Sequence, residues 1–285
     1  MYDDFDLICI LGPTASGKTK YAVALARETG GEILSGDSRQ VYRGMDIGTG
    51  KDLADYGDVP YHLIDIADAG EKYNIYRYQH DFEKAYRDIL ARGCRPILCG
   101  GSGLYIEAAT CGYWLPDVPA DEKLRAELAS RPMEELISLF ESMRTPHNVT
   151  EYDSKQRLIR AIEIAVYENE HPVRRTSFLP KHTKYIGIEV SREVRNARID
   201  ARLEARLKEG MVGEVRGLLE SGVPAENLIY YGLEYKYLTL YLTGQLSYDE
   251  MVEKLRIAIH QFAKRQMTWF RGMERRGIEI EWIKI

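Results

Sequence analysis

No run in the 285-residue sequence approaches the about 20 consecutive apolar residues that span a membrane, so a helical anchor is not expected. The N-terminus, Met1-Tyr2-Asp3-Asp4, lacks the positive charge of a signal or transit peptide, and the cytoplasm is the expected location. Cysteine is scarce. The four present, Cys9, Cys94, Cys99 and Cys111, form no C-x-x-C pair, which argues against a zinc site or a disulfide framework and for buried reduced thiols. There is no basic excess either: 39 Lys and Arg stand against 44 Asp and Glu, for a net charge of -5. Evenly spread, that charge disfavours nucleic acid, so any RNA partner must be met by a confined basic surface. No internal repeat or low-complexity tract appears. Hydrophobic residues make up 45% of the chain, enough for a sizeable core in one elaborated domain or two domains.

What is present begins at residue 12. Gly12-Pro13-Thr14-Ala15-Ser16-Gly17-Lys18-Thr19 matches the phosphate-binding pattern G-x-x-x-x-G-K-[ST]. It follows the apolar run Leu7 to Leu11, read as a buried strand, and opens a helix from Lys18 to Glu28 closed by Gly30-Gly31. Glycines let backbone N–H groups turn inward around a polyanion; Lys18 adds a point charge, and the Thr19 hydroxyl is placed to hold Mg2+ at the positive end of the helix. The loop leaves open which phosphate compound it holds.

Further strands are expected at Glu32 to Ser35, Tyr61 to Ile66 and Pro96 to Cys99, with helices at Asn74 to Arg92 and from about Leu104. This alternation predicts an α/β fold, a P-loop NTPase-like parallel sheet flanked by helices. Residues 114–183 lose the strand signal, break at Arg131-Pro132 and Thr145-Pro146, and read as an inserted all-helical subdomain; 1–113 and 184–285 form the core. Lys184 to Val190 reads as a returning strand, followed by helices at Arg192 to Gly210, Gly213 to Ser221 and about Tyr248 to Met273. Ligands of such sheets lie at the carboxyl ends of the strands, so the phosphate loop, Asp37 and Gly100-Gly101-Ser102-Gly103 should converge.

Asp37 there can bind metal or take a proton from an acceptor, although Asp also favours turns and caps. Ser38, Arg39 and Gln40 add donors suited to a base edge or sugar. A phosphoryl-transfer enzyme would place an acid at the end of a buried strand, whereas Pro96 to Cys99 runs into glycines and Asp65 is a weak substitute. That favours a reaction in which pyrophosphate leaves. Arg195, Arg198, Arg202 and Arg206 share one helix face, suited either to a bound anion or to a salt-bridged solvated surface. Lys264, Thr268 and Arg271 line one face of a later helix and, with Arg157 and Arg160, offer a basic surface for RNA phosphates or simply a solvated one.

Together these segments resemble the tRNA dimethylallyltransferase family, also called tRNA isopentenylpyrophosphate transferase. The likeness is carried by the phosphate loop, Asp37-Ser38-Arg39-Gln40-Val41-Tyr42, Gly44 to Lys51, His62 to Asp65 and Gly100 to Tyr105, then by Gln156 to Glu163 and Ala263-Lys264-Arg265-Gln266 with Trp269 and Arg271. The resemblance implies transfer of a dimethylallyl group from dimethylallyl diphosphate to N6 of the adenine on the 3′ side of the anticodon. It implies Asp37 as general base, Thr19 and Arg202 as catalytic partners, and Gly12 to Thr19 around the diphosphate with Mg2+. For the tRNA anticodon stem-loop it implies Asp37, Ser38, Arg39, Gln40, Ser102, Gln156, Arg157, Leu158, Ile159, Arg160, Lys264, Arg265, Gln266, Trp269 and Arg271, on a monomer. The chain departs from the family pattern at Ser102, usually Thr, in the short stretch 144–150, and at Gly232-Leu233, where Gly-Tyr is usual. Competing readings are an isopentenyltransferase acting on free adenine nucleotides, a small-molecule kinase, or an RNA-binding module with a structural nucleotide.

Overall fold

The computed structural model describes residues 2, 4–143, 154–171 and 178–285. Its centre is strand β1 (Leu7–Leu11), whose five residues are all buried. Alternation along the strand sends Leu7, Cys9 and Leu11 to one core and Ile8 and Ile10 to another, so an unbroken apolar run serves both faces of a sheet. Helix α1 (Lys18–Thr29) covers the second face with Ala22, Val23, Leu25 and Ala26. β2 (Gly31–Ser35), β3 (Tyr61–His62), α2 (Ile75–Ala91), β4 (Arg95–Gly100) and α3 (Gly103–Thr110) follow.

The described sheet has six strands, all parallel, in the order β3-β2-β4-β1-β5-β6, where β5 is Thr183–Glu189 and β6 is Ile280–Lys284. The fold is the α/β parallel sheet flanked by helices that the alternation implied. The third strand is shorter than its apolar run, ending at His62, because Leu63 and Asp65 adopt positive φ of 66° and 56°. Asp65 turns to meet Lys51, which is almost wholly buried and also bonds Asp46 Oδ1 at 2.5 Å and the Tyr42 carbonyl at 2.7 Å. Asp65 is thus committed away from the phosphate loop.

After β5 come α7 (Arg192–Glu209), α8 (Met211–Glu220), α9 (Ala225–Tyr230), α10 (Leu233–Leu242) and the 28-residue α11 (Tyr248–Arg275). A capping box starts α11, with the Ser247 side chain accepting from Glu250 N and the Glu250 carboxylate accepting from Ser247 N.

Two compact units emerge, residues 1–113 with 178–285, and residues 114–177. The chain rejoins the sheet unit six residues before residue 184, because the Phe178 ring packs on Tyr86 at 5.2 Å and Phe82 at 6.0 Å. The second unit is helical in its described part, with α4 (Glu122–Ser130), α5 (Met133–Met143) and α6 (Lys155–Glu170) around Leu128, Leu136, Phe140, Leu158, Ile159, Ile162 and Ala165. The Arg131-Pro132 break falls between α4 and α5; Thr145-Pro146 and the whole stretch 144–150 lie outside the described residues.

Candidate active site

The phosphate loop leaves β1 and is shaped by two left-handed residues, Ala15 at φ 61° and Gly17 at φ 91°, which bend the backbone tightly into the start of α1. Gly12 has no room for a side chain: a Cβ there would lie 2.8 Å from Ser16 Oγ and 2.9 Å from the Ile188 carbonyl. Burial pushes the Lys18 ammonium below its usual range, Cys99 and Asp37 oppose that, and Arg202 adds to it. Lys18 thus lies within electrostatic reach of both Asp37 and Arg202. The Thr19 hydroxyl meets Cys99 at the end of β4, where burial holds the thiol up at about 11.

The second glycine loop closes against the Asp37 loop. Gly36 N donates to Cys99 O at 2.8 Å, Ser102 N to Gly36 O at 3.3 Å, and Ser38 N to Ser102 Oγ at 3.2 Å. A Cβ on Gly100 would fall 2.4 Å from Gly36 O, so the approach depends on glycine. Asp37 Oδ1 accepts from Arg39 N at 2.8 Å, a local turn bond that fixes the carboxylate's aim. Gln40 accepts from Ser35 Oγ and donates to Gly50 O, both at 3.1 Å, yet keeps a second amide hydrogen and lone pair.

Gln266 was expected among the RNA contacts. Instead its buried amide joins the two loops, accepting from Thr14 N at 2.8 Å and donating to Gly101 O at 2.9 Å. Nothing in its local sequence signals this, since the partners stand 252 and 165 residues away.

The arginine row divides. Arg202 and Arg206 share the Asp52 carboxylate at 2.8 and 3.4 Å, and with Thr14, Ala15 and Glu234 they line a small cleft beside the phosphate loop. Arg198 points to solvent. Burial lowers the Arg202 guanidinium, Arg206 adds to that, and Asp52 opposes both. Glu234, which the sequence pattern does not single out, is pushed up by burial in the same cleft, with Arg206 opposing.

On α11, Lys264, Arg265 and Arg271 are exposed, as an RNA surface needs. Trp269 is 36% exposed and packs on Gly103, while its Nε1 donates to Glu107 at 2.9 Å; Arg276 completes the partners of that buried carboxylate. In the helical unit, Gln156 and Arg157 are exposed, whereas their neighbours on α6 are not. Leu158 and Ile159 are core residues of that unit rather than RNA contacts, because the α6 stripe they occupy faces α4 and α5. Arg160 bonds Glu163 and the Val118 carbonyl, the latter at 2.8 Å, and its side chain stays 39% exposed.

A phosphate loop, a carboxylate at the neighbouring strand end and an arginine-lined cleft can hold a diphosphate and deprotonate an acceptor beside it. Residues 40–273 match the family described as IPP transferase, and residues 5–56 match isopentenyl transferase. The chain is 59% identical to tRNA dimethylallyltransferase 1 of Porphyromonas gingivalis over 97% of its own length and 93% of the relative's. It is 56% identical to tRNA dimethylallyltransferase 2 of Bacteroides fragilis over 98% and 93%. The crystal structure of the full-length tRNA isopentenylpyrophosphate transferase from Bacillus halodurans superposes with a TM-score of 0.72 at 33% identity, covering 98% of this chain and 89% of that one. The site described here thus sits in a sequence matched almost end to end, and the chain belongs to the IPP transferase family.

Proposed function

We infer that this enzyme transfers a dimethylallyl group from dimethylallyl diphosphate to N6 of the adenosine on the 3′ side of the anticodon in tRNA, releasing diphosphate. The observation that carries this reading is that Asp37 and the phosphate loop follow the carboxyl ends of β2 and β1, the parallel strands on either side of β4, while β4 ends in glycine rather than in an acid. An acid placed beside the phosphates, and not behind the metal, suits proton removal from an acceptor. The relatives named above act as tRNA dimethylallyltransferases, and their activity fits this geometry.

In the reaction the N6 lone pair attacks the allylic carbon, the carbon–oxygen bond to the diphosphate breaks, and Asp37 takes the N6 proton. Lys18, Arg202 and the loop N–H groups hold the negative charge that grows on the leaving diphosphate. For Mg2+, Thr19 is the ligand this chain would supply; the described residues contain no cluster of three His, Cys, Asp or Glu. That sparse set fits Mg2+, which keeps water and takes phosphate oxygens readily, and the ion would neutralise charge on the leaving group. Ser38, Arg39, Gln40 and Ser102 surround Asp37 and would hold the adenine once it leaves its stack, a step made easier in a single-stranded loop.

Incubation with dimethylallyl diphosphate, ATP, AMP and unmodified tRNA, followed by mass spectrometry, tests the reading. The tRNA adenosine should gain one dimethylallyl group. Mass gained by AMP alone would mark a nucleotide isopentenyltransferase, and phosphate transfer would mark a kinase.

A further inference from the structure

Tyr230 is 66% exposed, more than any other bulky apolar side chain in the described residues. It ends α9, and its neighbour explains why it faces outward. Tyr231 is buried, packs with its ring centroid 4.3 Å from that of Tyr42 at a tilt of 44°, accepts from Gly70 N at 2.7 Å and donates to Glu71 O at 2.9 Å. One tyrosine anchors the helix end, and the chain direction then leaves the other in solvent.

Tyr230 is not simply loose. The Arg39 guanidinium lies over its ring, 5.7 Å from the centroid, and the Arg39 stem runs past Gly232, where a Cβ would lie 3.7–3.8 Å from Cγ, Cδ and Nε. Arg39 is also the residue whose N–H fixes Asp37. The buried Tyr105 lies within electrostatic reach of Arg39, Tyr42, Tyr230 and Asp37 together. An ordered, exposed π surface therefore stands one side chain away from the general base.

We propose that Tyr230, with Arg39 behind it, is the platform on which a nucleobase flanking the reacting adenine stacks. The proposal rests on the RNA-alkylating reading given above. Pulling one adenine out of a loop breaks the stack on both sides, and the flanking base needs a new π partner; single-stranded RNA is commonly held on aromatic rings and arginine planes.

The test compares wild type, Tyr230→Ala and Tyr230→Phe on an unmodified anticodon stem-loop RNA. Tyr230→Ala should raise the KM for RNA by roughly 5- to 100-fold, the range that loss of one base–aromatic stack produces. Its kcat, its KM for dimethylallyl diphosphate and its melting temperature should stay near wild type, and Tyr230→Phe should behave as wild type. An RNA abasic at one of the two flanking positions should then bind wild type as weakly as intact RNA binds Tyr230→Ala, with no further loss when both changes are combined. The proposal is overturned by an unchanged KM in Tyr230→Ala, by a loss in Tyr230→Phe equal to that in Tyr230→Ala, or by losses that add fully at both flanking positions. Absence of alkylation of any RNA by wild type would instead bring down the functional reading, and this inference with it.

Discussion

Replacing Gln266 with leucine removes the amide that joins the two glycine loops while keeping side-chain volume close. Two backbone groups then lose their partners, Thr14 N–H and the Gly101 carbonyl, now bonded at 2.8 and 2.9 Å. A buried group left unpaired costs about 1–3 kcal/mol, and Thr14, being half-buried, recovers part of that from water. The sum is about 2–4 kcal/mol, or roughly 5–15 °C of melting temperature for a unit of this size. Because Thr14 belongs to the phosphate loop, the KM for dimethylallyl diphosphate should rise as well. Gln266→Glu separates the two halves of the clasp. A carboxylate still accepts from Thr14 N but sets an oxygen against the Gly101 carbonyl, so this variant should regain stability as pH falls and the side chain becomes a donor again. Thermal unfolding and two-substrate kinetics read both outcomes. A Gln266→Leu protein with wild-type melting and diphosphate KM but a raised KM for RNA would refute the clasp and restore Gln266 to the RNA surface.

Asp37→Ala should lower the rate of transfer by about 10²–10⁴-fold with RNA affinity within a few-fold of wild type, measured by single-turnover assay and filter binding; wild-type turnover would remove Asp37 as the base. Arg202→Ala should weaken dimethylallyl diphosphate and leave the salt dependence of RNA binding alone, whereas replacing Lys264 or Arg271 should make that logarithmic slope shallower by about 0.7 for each phosphate no longer neutralised. The reverse pattern would move Arg202 to the RNA surface. Glu163 provides a pH test: burial pushes its carboxyl up, but Arg125, Arg160 and the Asp121 N–H outweigh that and hold it below the ordinary carboxylate value. Its contribution to stability is therefore complete above that ordinary value and fades as pH falls through the lower folded one. Glu163→Gln should lose this part of the acid dependence in melting curves taken between neutral pH and about pH 3, and an unchanged acid limb would show that the cluster contributes nothing.

The pieces of fold that could be read from sequence were those in which local chemistry and tertiary role agree. β1, the phosphate loop and α1 fall within a residue of expectation, because an apolar run, a glycine pattern and a capped helix each state their own conformation. β6 escaped notice because its buried and exposed positions alternate only weakly, and α10 because it presents tyrosines and leucines on several sides without a clean stripe. At the site, Asp37 and the two glycine loops were visible from strand-end logic. Leu158 and Ile159 carry two conflicting signals, a motif position that points to RNA and an apolar character that points to a core, and the fold follows the second. Gln266, Glu234 and Tyr230 carry no local signal, since their roles are set by partners or by exposure that only the folded chain determines.

The bond from Gln266 to Thr14 also sets an order of assembly. At ribosomal speeds of about 5–20 residues per second, the phosphate loop is made roughly 10–50 s before the helix that steadies it leaves the ribosome. During that interval β1 and α1 can form, yet Thr14 N–H and the Gly101 carbonyl wait for a partner that does not exist. Pairings so distant along the chain slow folding, because the intervening segment must be ordered before they reward it. A nascent chain halted before α11 would thus carry the full anion-binding motif without a dependable grip on its ligand, so a loop made well before α11 matures only after it.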